Sequence, residues 1–264
     1  MLGWSISLFR VRGIQLAVHF SFLLLLAYVA WEGWAEGART NEALSGLLVN
    51  AGSLLVFFTC VVLHELGHCF TAQRFGVRVP RILLLPIGGM AEFDSIPRAP
   101  RSEILIALAG PAVNFAIVGL LLAFVPWPHW STLADSALSV TSALQLIVVM
   151  NLVMGCFNLV PVFPMDGGRV LRAILSQRMP YLRATYWAAS LGKILSIIFG
   201  YVAVRYGHNP LGGALFAFIF IAGEIEYRAI LRQERESQRW DRMIARLNAE
   251  AIREAQGSSF KVQN

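Results

Sequence analysis

One apolar stretch of the sequence, CVVLHELGHCF at residues 60–70, contains two histidines and a glutamate. His64 and His68 are four residues apart, so on a helix both imidazoles project from the same face and can bind one metal ion. Glu65 lies beside them and can reach a water on that metal rather than the metal itself. This H-E-x-x-H pattern combines two zinc ligands with a general base for hydrolysis. The alternative role for these three residues is a buried polar network that holds helices together.

A catalytic zinc site uses three protein ligands and keeps one position open. The candidate third ligand is Asp166, in the segment FNLVPVFPMDGGRVLR at residues 157–172. Pro161 and Pro164 break the preceding helix and stiffen an extended stretch before the aspartate. Asp166 could instead, or in addition, cap the short helix GRVLRAIL. Cys60 is a formal alternative ligand, although packing is the common role of a small buried cysteine.

The composition predicts a membrane protein. The 264 residues are 56% hydrophobic and 14% charged, whereas soluble domains average about 25% charged. The net charge of +6 does not indicate nucleic-acid binding, because the arginines lie between apolar runs rather than on one basic face. The three cysteines do not form a disulfide framework. No removable signal peptide is expected, because MLGWSISLFRVRGIQL has no small-residue cleavage site.

We predict an all-α polytopic membrane protein with six transmembrane helices. A short β-hairpin or re-entrant element is expected between helices 2 and 3, at residues 82–93, where two short apolar runs flank a Gly-Gly turn. The predicted domains are a membrane core at 1–230 and a charged amphipathic cytoplasmic tail at 231–264. The six spans are expected near residues 14–31, 46–73, 103–125, 138–158, 185–204 and 211–230.

Lysine and arginine are distributed unevenly between the two sides of these spans. Of the 22 residues of these two types, all but Arg39, Lys193 and Arg205 would lie on one side. By the positive-inside rule that side is the cytoplasm, and both termini face it. We therefore expect a multi-pass protein of the cell membrane.

The predicted third span contains the sequence ALAGPAVNF at residues 107–115. Its small residues permit close contact with another helix. Asn114 lies within the apolar part of this span, where an asparagine needs a hydrogen-bond partner. Its expected role is either ordinary interhelical bonding or support of the metal site.

Four motifs together resemble the site-2 proteases, a family of zinc intramembrane metalloproteases. They are HELGH, LPIGGMAEF, GPAVN and FNLVPVFPMDGGR, in the order found in that family. The resemblance implies that His64, His68 and Asp166 bind one Zn²⁺ ion per chain and that Glu65 is the catalytic base. It also implies that Asn158 steadies the substrate or the oxyanion, with a C-cap on the fourth span as the alternative.

The resemblance further implies a zinc-dependent endopeptidase that cleaves within or near the transmembrane helix of a membrane-anchored protein. The expected partner is a single-span substrate, such as an anti-sigma-factor-like protein or the precursor of a transcription regulator. The sequence has neither the PDZ nor the CBS modules of many relatives, so it resembles a compact form. Two alternatives are a membrane-embedded zinc hydrolase of a non-protein substrate and a non-catalytic zinc-binding scaffold or transporter. No pattern in the sequence predicts the oligomeric state.

A substrate helix must unwind before water can attack its carbonyls, and its freed backbone groups then need partners. We expect the hairpin at 82–93 to offer an edge to which the unwound substrate adds as a strand.

Overall fold

The computed structural model describes residues 4–94, 97–128 and 140–261. The chain divides into two compact units, the first comprising Met1–Pro161 and Met165–Arg178 and the second Val162–Pro164 and Met179–Asn264. Among its described residues, the first unit contains a four-stranded sheet and five α-helices. These helices are α1 (Phe20–Gly37), α2 (Ala43–Arg74), α3 (Pro100–Leu122), α4 (Val140–Asn158) and α5 (Asp166–Ser176).

The sheet combines two hairpins that are far apart in the sequence. Its order is β1-β2-β3-β4, with β2 parallel to β3 and the outer pairs antiparallel. The hairpin predicted at 82–93 is confirmed as β3 and β4, whereas the N-terminal hairpin that extends it into a sheet is not predicted. The strands are β1 (Ser5–Val11), β2 (Ile14–His19), β3 (Arg81–Leu85) and β4 (Gly88–Glu92).

The first predicted span, 14–31, is wrong at its start. Residues Ile14–His19 form β2, and α1 begins only at Phe20. Ile14, Leu16 and Val18 are buried on one face of this strand, and Ala17 is buried on the other. Because Ala17 is also apolar, the segment reads as continuous with the leucines of α1, and the strand period is hidden.

Four helices in the described residues are long and apolar enough to cross a membrane. They are α2, α3 and α4 of the first unit and α6 (Tyr181–Arg205) of the second. They correspond to the second to fifth predicted spans, of which residues 138 and 139 lie outside the described residues. The prediction of six spans is therefore confirmed in part.

The first and sixth predicted spans correspond to α1 and α7 (Pro210–Lys261). The second half of α1 contains Glu32 and Glu36, which lower its mean hydropathy. Helix α7 runs unbroken for 52 residues, from the predicted sixth span through the predicted tail. The predicted boundary between 230 and 231 therefore lies inside one helix.

The core of the first unit fixes the C-terminal half of α2. Cys69 and Ala72, which follow His68 on α2, are completely buried. They belong to one apolar cluster with Ile82 of the sheet, Phe22 of α1 and Ile106 of α3. The histidine-bearing part of α2 is thus held by the sheet and by both neighbouring helices.

The second unit is built on the antiparallel pair α6 and α7. Lys193 of α6 forms an ion pair with Glu224 of α7, and Glu224 also accepts a hydrogen bond from Arg228 Nε at 2.5 Å. Farther along the pair, the rings of Phe199 and Phe216 stack with their centroids 5.7 Å apart. An ion pair and an aromatic pair therefore fix the register of these two helices.

Candidate metal centre

Three side chains from α2 and α5 converge on one point. The Nε2 atoms of His64 and His68 are 3.1 Å apart, and Asp166 Oδ2 lies 3.3 Å from the first and 3.1 Å from the second. All three residues are buried, with 4%, 3% and 7% of their surface exposed. Their potential ligand atoms lie within 4.8 Å of one another, so together they could hold a metal ion.

Hydrogen bonds behind the imidazoles determine which ring nitrogens carry protons. His64 Nδ1 lies 2.5 Å from Asn114 Oδ1, and His68 Nδ1 lies 2.7 Å from the carbonyl oxygen of Ile106. Both oxygens are acceptors. The Ile106 oxygen is a main-chain carbonyl, and the Asn114 oxygen is identified because Asn114 Nδ2 donates to Asn151 Oδ1 at 2.8 Å. Each Nδ1 therefore donates its proton, and each Nε2 presents a lone pair to the shared point. Two such nitrogens and a carboxylate form the donor set of a zinc site with an open position.

Asp166 is the first residue of α5. The N-cap residue of this helix is Met165, whose side chain makes no capping hydrogen bond. The alternative in which Asp166 itself caps the helix is therefore wrong by one residue, and its carboxylate faces the histidines instead. Burial alone would raise the pKa of Asp166, but the two imidazoles more than offset this and hold that pKa below its ordinary value. The third member of the group is thus an anion.

Helix α3 approaches the imidazoles closely at Gly110. A Cβ added there would lie 2.7 Å from His64 Nε2 and nearer still to His68 Nε2. The small residues at 107–115 predict a close helix contact, but they do not single out Gly110 or the Ile106 carbonyl as the groups that make it. The Gly-Pro dipeptide inside an apolar span indicates an unusual position in the helix, but it does not indicate which helix packs there.

A buried hydrogen-bond chain extends from His64 into α4. Asn114 and Asn151 are completely buried, and Asn151 Nδ2 also bonds Cys60 Sγ at 3.2 Å. Asn114 joins α3 to α4, which confirms the interhelical bonding, and it also bonds His64, while support of a bound metal stays a prediction. Asn151 is not among the residues predicted from the sequence, although a lone asparagine in an apolar span indicates a buried hydrogen bond. Cys60 is not in the group that could hold a metal ion.

Glu65 lies against the edge strand of the sheet. A Cβ added at Gly89 of β4 would come within 2.6 Å of Glu65 Cγ and 3.3 Å of its Oε1. Because β4 is the last strand in the sheet order, its outer edge has no partner strand among the described residues. The glutamate of the H-E-x-x-H pattern is therefore next to a strand that can still pair.

Asn158 is the last residue of α4. Its Nδ2 atom donates to the carbonyl oxygen of Met154 at 3.0 Å, a bond within the final turn of the helix. This bond lies within one turn of α4 and involves no other element. A role of Asn158 toward the substrate stays a prediction.

Comparison with known proteins identifies related chains over most of this sequence. Residues 52–130 and 127–199 match the model of peptidase family M50. The chain is 37% identical over 232 residues to a zinc metalloprotease of Methanocaldococcus jannaschii, which covers 87% of this chain and 62% of the relative. It is 32% identical over 188 residues to stage IV sporulation protein FB of Bacillus subtilis, which covers 70% of this chain and 62% of the relative. The chain thus spans about three fifths of the length of these relatives.

The fold is similar to the solved structure of a site-2 protease from Methanocaldococcus jannaschii. The TM-score is 0.60 at 36% sequence identity, and the match covers 85% of this chain and 95% of that one. The ranges that match the family model include both histidines and the aspartate of the candidate metal centre.

Proposed function

Because this chain belongs to peptidase family M50, we propose that it is a zinc-dependent intramembrane endopeptidase. Its reaction is hydrolysis of a peptide bond within or near the transmembrane helix of a membrane-anchored protein. The observation that carries this proposal is the group of three buried ligand atoms within 4.8 Å, two of them on a helix apolar enough to cross a membrane.

His64, His68 and Asp166 are the proposed ligands of one Zn²⁺ ion. Zinc supplies Lewis acidity to such a site, polarising a carbonyl oxygen and making water a nucleophile at neutral pH. The donor set supports this assignment, since the two Nε2 lone pairs and the Asp166 carboxylate face one point. The Nδ1 hydrogen bonds hold both imidazoles in that orientation.

Glu65 is the proposed general base, which accepts the proton of the attacking water. Its position against β4 supports a specific way of presenting the substrate. An unwound substrate segment would add to the free edge of β4 as a further strand, about 4.8 Å away. Its backbone groups would then be paired at the place where the base lies. Asn158 is proposed to steady the substrate or the oxyanion from the end of α4.

The proposed substrate is a single-span membrane protein, such as an anti-sigma-factor-like protein or the precursor of a transcription regulator. In the proposed topology α1 and the first part of α7 complete six spans, with both termini in the cytoplasm. The length of α2 supports its placement across the bilayer, because 32 residues span about 48 Å and the hydrocarbon core is about 30 Å thick.

The test compares the wild type with Glu65→Gln, both reconstituted in lipid vesicles with a model single-span substrate. We expect the wild type to contain one zinc per chain and to cleave the substrate. Glu65→Gln should retain zinc and lose cleavage by at least a hundredfold, because the amide cannot accept the proton. Full cleavage by Glu65→Gln would refute the assignment of the base. A wild type that binds zinc but cleaves no membrane-anchored peptide would favour a zinc hydrolase of another substrate or a scaffold.

A further inference from the structure

Four positions on one face of α3 contact the elements that carry the metal centre. Glu103, Ile106, Gly110 and Asn114 follow one another at spacings of three and four residues, which places them on one side of the helix. Ile106 and Asn114 orient the two histidines, and Gly110 admits both rings. Glu103, at the start of this face, contacts α5 rather than α2.

Glu103 forms an ion pair with Arg172 of α5. Arg172 Nε donates to Glu103 Oε1 at 2.7 Å, and Arg172 Nη2 contacts the same oxygen. Both side chains are completely buried, with 0% of their surface exposed. Arg172 lies six residues after Asp166 on the same helix, about 9 Å along its axis.

A buried ion pair is a poor means of stabilising a fold. Removing two charges from water costs about as much as their attraction returns, and well-packed apolar residues of the same volume often stabilise as well or better. A charged pair does differ from an apolar one in geometry, because its hydrogen bonds form at one register and an apolar contact can slide. The value of Glu103 and Arg172 therefore lies in where they hold α5.

We propose that the Glu103–Arg172 pair is a positioning clamp that fixes the third metal ligand. It sets the register of α5 on α3, and α5 carries Asp166 rigidly at its N-terminus. Because α3 also orients both histidines, the same helix face aligns all three ligands. The inference rests on the proposed metal site and adds two residues that do not touch it.

Metal sites tolerate ligand displacements of only about 0.2 Å, so a small slide of α5 weakens the site without unfolding it. The test replaces the pair by an apolar one, Glu103→Leu with Arg172→Met, in the full chain in detergent. We expect native helicity and thermal stability near that of the wild type. Zinc affinity, measured by chelator competition, should fall at least tenfold. Substitution of Co²⁺ for zinc should give a visible absorption spectrum that differs from that of the wild type.

The matched control is an interhelical ion pair of the second unit, changed by Lys193→Met with Glu224→Leu. This variant should bind zinc like the wild type. If the apolar variant at the clamp does not fold, Arg172→Lys tests the clamp instead. Lysine keeps the positive charge but lacks the planar guanidinium group that binds the carboxylate in one geometry. We expect this variant to bind zinc at least threefold more weakly at unchanged thermal stability.

Wild-type zinc affinity and cobalt spectrum in the folded clamp variant would overturn the clamp and leave the proposed function standing. Wild-type affinity in Arg172→Lys would do the same where the apolar variant does not fold. Absence of zinc binding by the wild-type chain would overturn both proposals. The two failures are therefore distinguishable by which protein loses zinc.

Discussion

Gly110→Ala is the substitution whose effect on the metal centre follows most directly from the structure. The added Cβ would lie 2.7 Å from His64 Nε2 and nearer to His68 Nε2. An ordinary carbon contact is about 3.5–4.0 Å, so at least one imidazole must move by roughly 1 Å. That displacement is about five times the tolerance of roughly 0.2 Å for metal–ligand distances. We expect zinc affinity to fall at least a hundredfold, measured by chelator competition on the purified protein.

The control for this experiment is Gly119→Ala on the same helix, where an added Cβ meets nothing within 4 Å. Alanine favours a helix over glycine by about 1 kcal/mol, so neither variant should weaken α3 as a helix. Circular dichroism should show the same helicity for both, with zinc lost only from Gly110→Ala. Zinc binding by Gly110→Ala at wild-type affinity would refute the reasoning that α3 and the histidines are in tight contact at the ligand atoms.

Three further predictions concern the same region. Asn114→Ala removes the acceptor for His64 Nδ1, so zinc affinity should fall about 10–100-fold; unchanged affinity in the competition assay would contradict the orienting role. Gly89→Ala places a Cβ 2.6 Å from Glu65 Cγ, and cleavage should drop at least tenfold while zinc content stays at the wild-type level. Gly52→Ala, where an added Cβ meets nothing within 4 Å, is its control, and equal cleavage by the two variants would count against the contact. Removal of zinc by a chelator should lower the unfolding temperature. The free energy of unfolding should fall by about 2.7 kcal/mol compared with the protein in zinc at 100 times Kd. A melting curve that does not respond to added zinc would show that the folded state binds none.

The two histidines of the candidate metal centre are predictable from the sequence because their spacing is local. His64 and His68 share a helix face in any α-helix, so their convergence needs no knowledge of the fold. Asp166 is harder, since its arrival at the histidines depends on how α5 docks. The Pro-rich segment before it and the Gly-Gly pair after it identify the turn, but they do not specify what the turn faces.

The supporting contacts are not predictable in the same way. Gly110 and the Ile106 carbonyl contact the histidines through the backbone of α3. A close approach of the backbone is visible in the sequence only as a preference for small residues. The N-terminal hairpin is missed because β2 is buried on both sides, as strands inside a sheet often are, and a continuous apolar run does not distinguish a strand from a helix. The sixth predicted span ends where charged residues begin, whereas helix propensity carries α7 on without a break.

The orientation of His68 by a main-chain carbonyl has a consequence for mutational scanning. The main-chain oxygen at position 106 is present whatever side chain stands there, as long as the helix is not distorted. Replacing the Ile106 side chain therefore leaves the hydrogen bond to His68 in place. The partner of His64 is a side chain and can be deleted by a single codon change. An alanine scan of α3 would therefore record one histidine as supported and the other as unsupported. Both histidines nonetheless have a hydrogen-bond partner on this helix, and amide-to-ester replacement that weakens the acceptor at position 106 would reveal the second one.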